Sequence, residues 1–140
     1  MASFGKQSKA ILATCHPDIQ AVLNLAITRY DFTVLYGTRT EAEQLALFKV
    51  GRKFINGAWT ITGKVVTNLD GKIKKSKHNY SPSLAVDIAP YPIDWNDISR
   101  FKKLATIIKE CAGELGIDII YGGDWKTFRD YPHFEIKESK

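Results

Sequence analysis

Apolar residues first recur at helical spacing after Pro17, where Ile19, Val22, Leu23, Ala26, Ile27 and Tyr30 fall three and four positions apart and so share one face. Pro17 stands at the start of that helix, where its missing N–H costs nothing. The period then changes: Phe32 to Thr38, FTVLYGT, is aromatic and β-branched and closes on a glycine, which predicts a strand. Thr40 with Glu43 makes a capping box for a second, short helix that stops at Gly51. Beyond Lys53, the turn pairs Asn56-Gly57 and Asp70-Gly71 bracket the β-favouring run AWTITGKVVTNL, which predicts a protruding hairpin over 54–75 with a mobile basic tip. Leu84 to Ala89 reads as a further strand. Asp94 and Asp97 then open the longest helix, with Ile98, Phe101, Leu104, Ala105, Ile108, Ala112 and Leu115 on one face and Gly116 at its end. IDIIYGGDW supplies a strand and a glycine turn, and HFEI (His133 to Ile136) a last short strand. The order helix, strand, helix, hairpin, strand, helix, strand, strand predicts an α+β fold, one small domain over 1–140 with a mostly antiparallel sheet packed with helices.

Composition narrows the partners. A chain of 140 residues, 44% apolar, can bury one core. No apolar run approaches a membrane span, so membrane insertion is not expected, and Lys6 and Lys9 lead into no continuous apolar stretch that would read as a secretion signal. Synthesis in the cytoplasm follows as an expectation. Cys15 and Cys111 each sit in an apolar helical context, which predicts buried free thiols and no cysteine metal pair. The net charge of +5 favours an anionic partner: nucleic acid, anionic lipid or an anionic cell-wall polymer. Nucleic acid fits least, because the lysines are not clustered with aromatics in a track.

The chemistry gathers around SKHNYSPSLAVDIAP, residues 76–90, where a carboxylate interrupts an apolar strand. Alternation puts Val86 and Ile88 towards the core and Asp87 on the other face, between the small side chains of Ala85 and Ala89. A carboxylate buried there needs a cation, and histidine and metal both qualify. Of the three histidines, His16 precedes Pro17 at a helix start and reads as an ordinary terminus residue, while His78 and His133 each lie beside a strand. Two imidazoles and one carboxylate suit a tetrahedral zinc ion with its fourth position open. The spacing equally allows Asp87 to accept backbone N–H bonds at a turn while the histidines cap or pack. Asp130, three residues before His133 in DYPH, adds an acid beside a ligand, since Pro132 favours a tight turn.

SKHNYSPSLAVDIAP, then GGDW and DYPHFEI, with YGTRTEAEQ upstream, resemble the M15 family of zinc peptidases: the VanY-like carboxypeptidases and the phage endolysins that cut between L-Ala and D-Glu of peptidoglycan. The match runs over residues 14–137, with the motifs in the family's order. The resemblance implies a Hedgehog/DD-peptidase-like fold, one Zn2+ per chain held by His78, Asp87 and His133, and Asp130 as catalytic acid/base. It implies Arg39 as the group steadying a substrate carbonyl or carboxylate, with Ser76, Gln44, Trp125 and Tyr131 supporting the site or lining the cleft. The function it implies is hydrolysis of the L-Ala-D-Glu bond of the peptidoglycan stem peptide by a monomeric phage endolysin. Such an enzyme would wait in the host cytoplasm and act on the cell wall after the membrane is breached. The alternatives are a D-Ala-D-Ala carboxypeptidase and a non-catalytic, zinc-stabilised wall-binding module. Two departures stand out: the gap from His78 to Asp87 is two residues longer than the common family spacing, with Pro82-Ser83 in the break, and Asp130 stands where many members have Glu. An even insertion keeps a strand's in-and-out parity, so the ligands are expected to survive it.

Overall fold

The computed structural model describes residues 2–71, 76–127 and 129–137. In chain order it holds α1 (Lys6–Leu12), α2 (Pro17–Ala26), β1 (Phe32–Tyr36), α3 (Glu41–Lys49), β2 (Arg52–Ile55), β3 (Ala58–Ile61), β4 (Ala85–Pro90), α4 (Ile98–Leu115), β5 (Ile119–Tyr121) and β6 (His133–Ile136). Single 3-10 turns occupy Lys77–Asn79 and Gly122–Asp124. Four strands form one sheet in the order β1-β4-β6-β5, antiparallel throughout, and β2 and β3 form a separate hairpin. The fold is therefore α+β, a small antiparallel sheet with helices, as the alternation of periods predicts. Among the described residues no helix is long and apolar enough to cross a membrane.

β4 is central, with β1 and β6 as its neighbours, and every one of its residues is buried. Its two faces do different work. Leu84, Val86 and Ile88 join Phe134 and Ile136 of β6, Ile19, Val22 and Leu23 of α2, and Leu104 and Ile108 of α4 in a single core cluster. Each such aliphatic side chain contributes about 1.5–3 kcal/mol of burial. The opposite face carries Ala85 and Asp87 on β4, paired directly with Glu135 and His133 on β6. The helices that border this sheet start as the sequence predicts: Thr40 and Glu43 close a capping box on α3, and the Asp97 side chain caps α4.

Three features differ from the pattern-based expectation. α1 was not legible, because KQSKAIL lacks a capping side chain and carries only two large apolar residues; it is held by tertiary contacts, with Phe4 edge-on to Phe32 at 5.3 Å and Ser8 Oγ accepting the Val34 N–H at 3.1 Å. The first strand stops at Tyr36 rather than Thr38, after a bulge between Val34 and Tyr36 that turns the chain towards α3. The hairpin of 54–75 is shorter than expected. β2 and β3 turn at Asn56-Gly57, but residues 62–71 return as irregular chain against α3 and not as a strand closed by Asp70-Gly71. The tie is made by side chains: Arg52 donates to the Thr67 and Phe48 carbonyls, and Gln44 to the Leu69 carbonyl. Residues 72–75, the rest of that expected hairpin, lie outside the described residues.

Candidate metal centre

Asp87 and His133 face each other as a register pair of β4 and β6, so strand alternation alone brings them together. His78 comes from the 3-10 turn 77–79. Ser76 opens that turn by accepting the His78 N–H at 3.2 Å, and the Asn79 side chain closes it by accepting the Ser76 N–H at 2.9 Å. The turn is pinned to the segment after β1 through Arg39 N–H to His78 O, 2.7 Å, and Asn79 Nδ2 to Arg39 O, 2.9 Å. The Pro82-Ser83 break is anchored as well: Ser83 N–H donates to Thr14 O, and its own carbonyl accepts from His16 N–H. The two extra residues are thus absorbed against the α1–α2 junction and leave Asp87 in register. His16 itself caps α2.

The three ligand atoms form a nearly equilateral triangle: His78 Nε2 to His133 Nδ1 is 3.2 Å, His133 Nδ1 to Asp87 Oδ1 3.1 Å, and His78 Nε2 to Asp87 Oδ1 3.3 Å. All three residues are buried. Each imidazole has its other nitrogen engaged outward. His78 Nδ1–H donates to the Gly37 carbonyl at 2.7 Å, and His133 Nε2–H donates to Glu135 Oε1 at 2.8 Å. With both N–H groups spoken for, two nitrogen lone pairs and a carboxylate oxygen converge on one point. A single proton there can lie along only one edge of the triangle, whereas a divalent cation satisfies all three. Metal–donor bonds of about 2.0–2.1 Å at tetrahedral angles set donors about 3.3 Å apart, close to the separations found. His78, Asp87 and His133 are the one metal-competent cluster of this kind among the described residues.

Two glycines let the backbone come this close. A Cβ on Gly37 would run into Thr14 Oγ1 and lie 2.9 Å from the Ile11 carbonyl, so the residue that supplies the acceptor for His78 must be glycine. A Cβ on Gly122 would sit 3.0 Å from His133 Cβ and 3.1 Å from Asp130 Cβ, where the β5–β6 connection folds over the site.

Electrostatics follow the contacts. Burial alone would raise the Asp87 carboxyl, but where a proton rather than an ion fills the triangle, hydrogen bonds from the His133 and His78 rings outweigh burial and hold the group well below the usual carboxylate range. Burial would lower His133, yet its bonds to Asp87 and Glu135 push it up to about 9. Asp130 is raised, chiefly by burial and then by the neighbouring charge of Asp87.

A cleft of about 460 Å³ opens over the triangle. Arg39 lies on one side, its Nη1 donating to Gln44 Oε1 at 2.8 Å and its Nη2 3.8 Å from Asp87 Oδ2. Gln44 is buried, the single buried residue of α3, and links Arg39 to the returning chain at Leu69. Asp130 lines the cleft as well, its Oδ2 4.0 Å from His133 Nδ1, held by a turn in which His133 N–H donates to Asp130 O. Trp125 lines the cleft with its ring 5.1 Å from that of His133. Ser76 lines it too, as the cap of the His78 turn. Tyr131 does not, which corrects the sequence-based expectation: the turn directs its ring away, against the core and into a shallow cavity beside Tyr121 and Lys109. Two features escaped sequence reasoning. Glu135 stands in the cleft two residues after His133, a period-two relation visible in HFEI, and Val66 to Leu69 form part of the wall, which no local pattern announces. A cleft of similar size between α1 and β1 gathers only Lys6, Asp31 and Tyr91 as ionisable side chains, with no ligand set.

A family model described as phage L-alanyl-D-glutamate peptidase matches residues 1–139. The chain is 35% identical over 139 residues to the L-alanyl-D-glutamate peptidase of Escherichia phage T5, an alignment covering 96% of this chain and 88% of the relative. It is 33% identical over 114 residues to the peptidoglycan L-alanyl-D-glutamate endopeptidase CwlK of Bacillus subtilis, covering 76% of this chain and 60% of the relative. Among solved structures, the L-Ala D-Glu endopeptidase ChiX of Serratia marcescens superposes with a TM-score of 0.73 at 27% identity, covering 96% of this chain and 89% of that one.

Proposed function

The chain belongs to the phage L-alanyl-D-glutamate peptidase family, and from that premise we propose that it is a zinc-dependent endopeptidase cutting the L-Ala-D-Glu bond of the peptidoglycan stem peptide. The observation that carries this reading is the triangle of His78 Nε2, Asp87 Oδ1 and His133 Nδ1, with both imidazoles locked so that their lone pairs turn inward. Three protein ligands leave a tetrahedral ion one corner, the arrangement of catalytic rather than structural zinc. One zinc per chain would be held there; when bound it supplies Lewis acidity, which brings the pKa of water to about 7 and polarises a carbonyl.

The chain's own side chains supply the rest. Asp130, which lines the cleft 4.0 Å from His133, would take a proton from the attacking water and hand it to the leaving amine. Arg39, which lines the same cleft beside Asp87, would offset negative charge growing on the carbonyl oxygen. Gln44 keeps that guanidinium in place by accepting from Nη1. Trp125 offers a flat apolar surface for the peptide. We place the enzyme's action at the wall after the host membrane is breached, as a monomer; the net charge of +5 suits an anionic envelope.

Digestion of purified peptidoglycan tests the proposal. New L-Ala carboxyl and D-Glu amino termini, dependent on zinc, are expected; release of free D-Ala would instead make the enzyme a carboxypeptidase, and no new termini at saturating zinc would make it a binding module.

A further inference from the structure

We propose that Glu135 is a positioning residue for the metal centre: by accepting the Nε2–H of His133 it fixes the tautomer and ring angle that aim Nδ1 at the ion. The inference rests on the metallopeptidase reading above. His133 and Glu135 are two apart on β6 and so share the face that meets Asp87 and Ala85 on β4. The Glu135 side chain is only 14% exposed and its Oε1 lies 2.8 Å from Nε2, on the side of the ring away from the ligand triangle. A carboxylate this enclosed needs a donor, and among the described residues the donor it contacts is the ligand histidine, His133. It cannot serve as a fourth ligand from there while holding the ring. Ala85, fully buried and directly opposite, has no bulk to push the carboxylate aside.

The two histidines are thus held differently. His78 leans on a neutral backbone carbonyl, that of Gly37, whereas His133 leans on an anion. An anionic acceptor makes the imidazole a stronger donor and adds negative charge beside a divalent cation without occupying its coordination shell. Glu135 acts through His133 and does not touch the reacting atoms.

The test compares zinc dissociation constants of the full-length wild type, Glu135→Ala and Glu135→Gln by competition with a chromophoric chelator, followed by turnover at saturating zinc. Glu135→Ala should bind zinc about 10–100-fold more weakly, the usual cost of losing such a partner, and Glu135→Gln, which keeps an acceptor oxygen but no charge, about 3–10-fold more weakly. Turnover of both at saturating zinc should return to within a few-fold of wild type. Wild-type zinc affinity in both variants would overturn the proposal, as would turnover that stays lost when zinc is saturating, since Glu135 would then act on the substrate directly. If the alanine variant does not fold, the glutamine variant decides by the same criteria. Failure of the metallopeptidase reading would show separately, as a wild-type protein that binds no zinc at all.

Discussion

The β4–β6 pair and the segment 50–71 flank the same cleft but are built in opposite ways. On β4 and β6 the ligand side chains alternate with core residues: Val86, Ile88 and Phe134 are anchored in the cluster, so Asp87 and His133 inherit the rigidity of the sheet. In the 50–71 segment the large apolar side chains point outward: Phe54, Ile61 and Val66 are each more than half exposed, and Trp59 is exposed too. That segment is attached to the body at α3, through Arg52 to the Phe48 carbonyl, Gln44 to the Leu69 carbonyl and the edge-on contact of Trp59 with Phe48. The contrast teaches that the chemistry sits where position is over-determined, while part of the wall that meets substrate sits where position is cheap to change.

Asp87→Ala removes the one anionic ligand from the rigid half. Zinc content of the purified protein should fall from about one per chain to near none, with turnover on peptidoglycan reduced beyond detection; metal analysis and a termini assay check both. Asp130→Asn separates metal from chemistry: zinc content should stay as in wild type while turnover drops about 10²–10⁴-fold, the range for loss of a general acid–base. An equal loss of zinc would put Asp130 among the ligands.

The chelated protein should carry a pH signature of the same rigid pair. His133 is raised from its ordinary 6.5 to about 9 in the fold, so its contribution is fully present below pH 6.5 and is lost as pH rises through 9. A shift of this size corresponds to about 3 kcal/mol. The denaturation midpoint of EDTA-treated protein should therefore fall from pH 6 to pH 10. Saturating zinc should flatten that decline, because the ion takes over the role of the proton.

Substitutions in the other half should be mild. Trp59→Ala takes away the ring that packs edge-on against Phe54 of the hairpin and Phe48 of α3, yet touches no ligand. Stability should fall by about 1 kcal/mol, with zinc affinity unchanged within twofold. Turnover on intact peptidoglycan should drop more than turnover on a short soluble stem peptide if the wall reaches the polymer. A zinc affinity that moved with Trp59 would erase the distinction between the two regions.

The same division governs what could be read from residues alone. Strand alternation is local, so Asp87 emerging opposite Val86 and Ile88 is legible in LAVDIAP; the capping box marks the start of α3 to the residue, and of the two acids that announce α4, Asp97 is its cap. His78, Asp87 and His133 stood out because polar groups beside apolar strands demand a reason. That they converge is a matter of register between β4 and β6 and of the tie between the His78 turn and the segment after β1, neither of which has a local signature. Glu135 was overlooked although HFEI places it in phase with His133, because an acid near a chain end ordinarily reads as a solvated residue. Tyr131 was misplaced for the converse reason: nearness in sequence to Asp130 and His133 says nothing of which way a turn residue faces. The β-favouring residues of 62–71 predict a strand, but they meet no partner strand and so form none. Arg52 and Gln44 hold that chain by side chain to backbone bonds instead.

Anomalous diffraction at the zinc edge, from crystals of the zinc-loaded protein, tests the central claim most directly. One strong peak per chain is expected, bonded to His78 Nε2, His133 Nδ1 and an Asp87 carboxylate oxygen. A peak elsewhere, or these three side chains turned away from one another around no peak at saturating zinc, would contradict it.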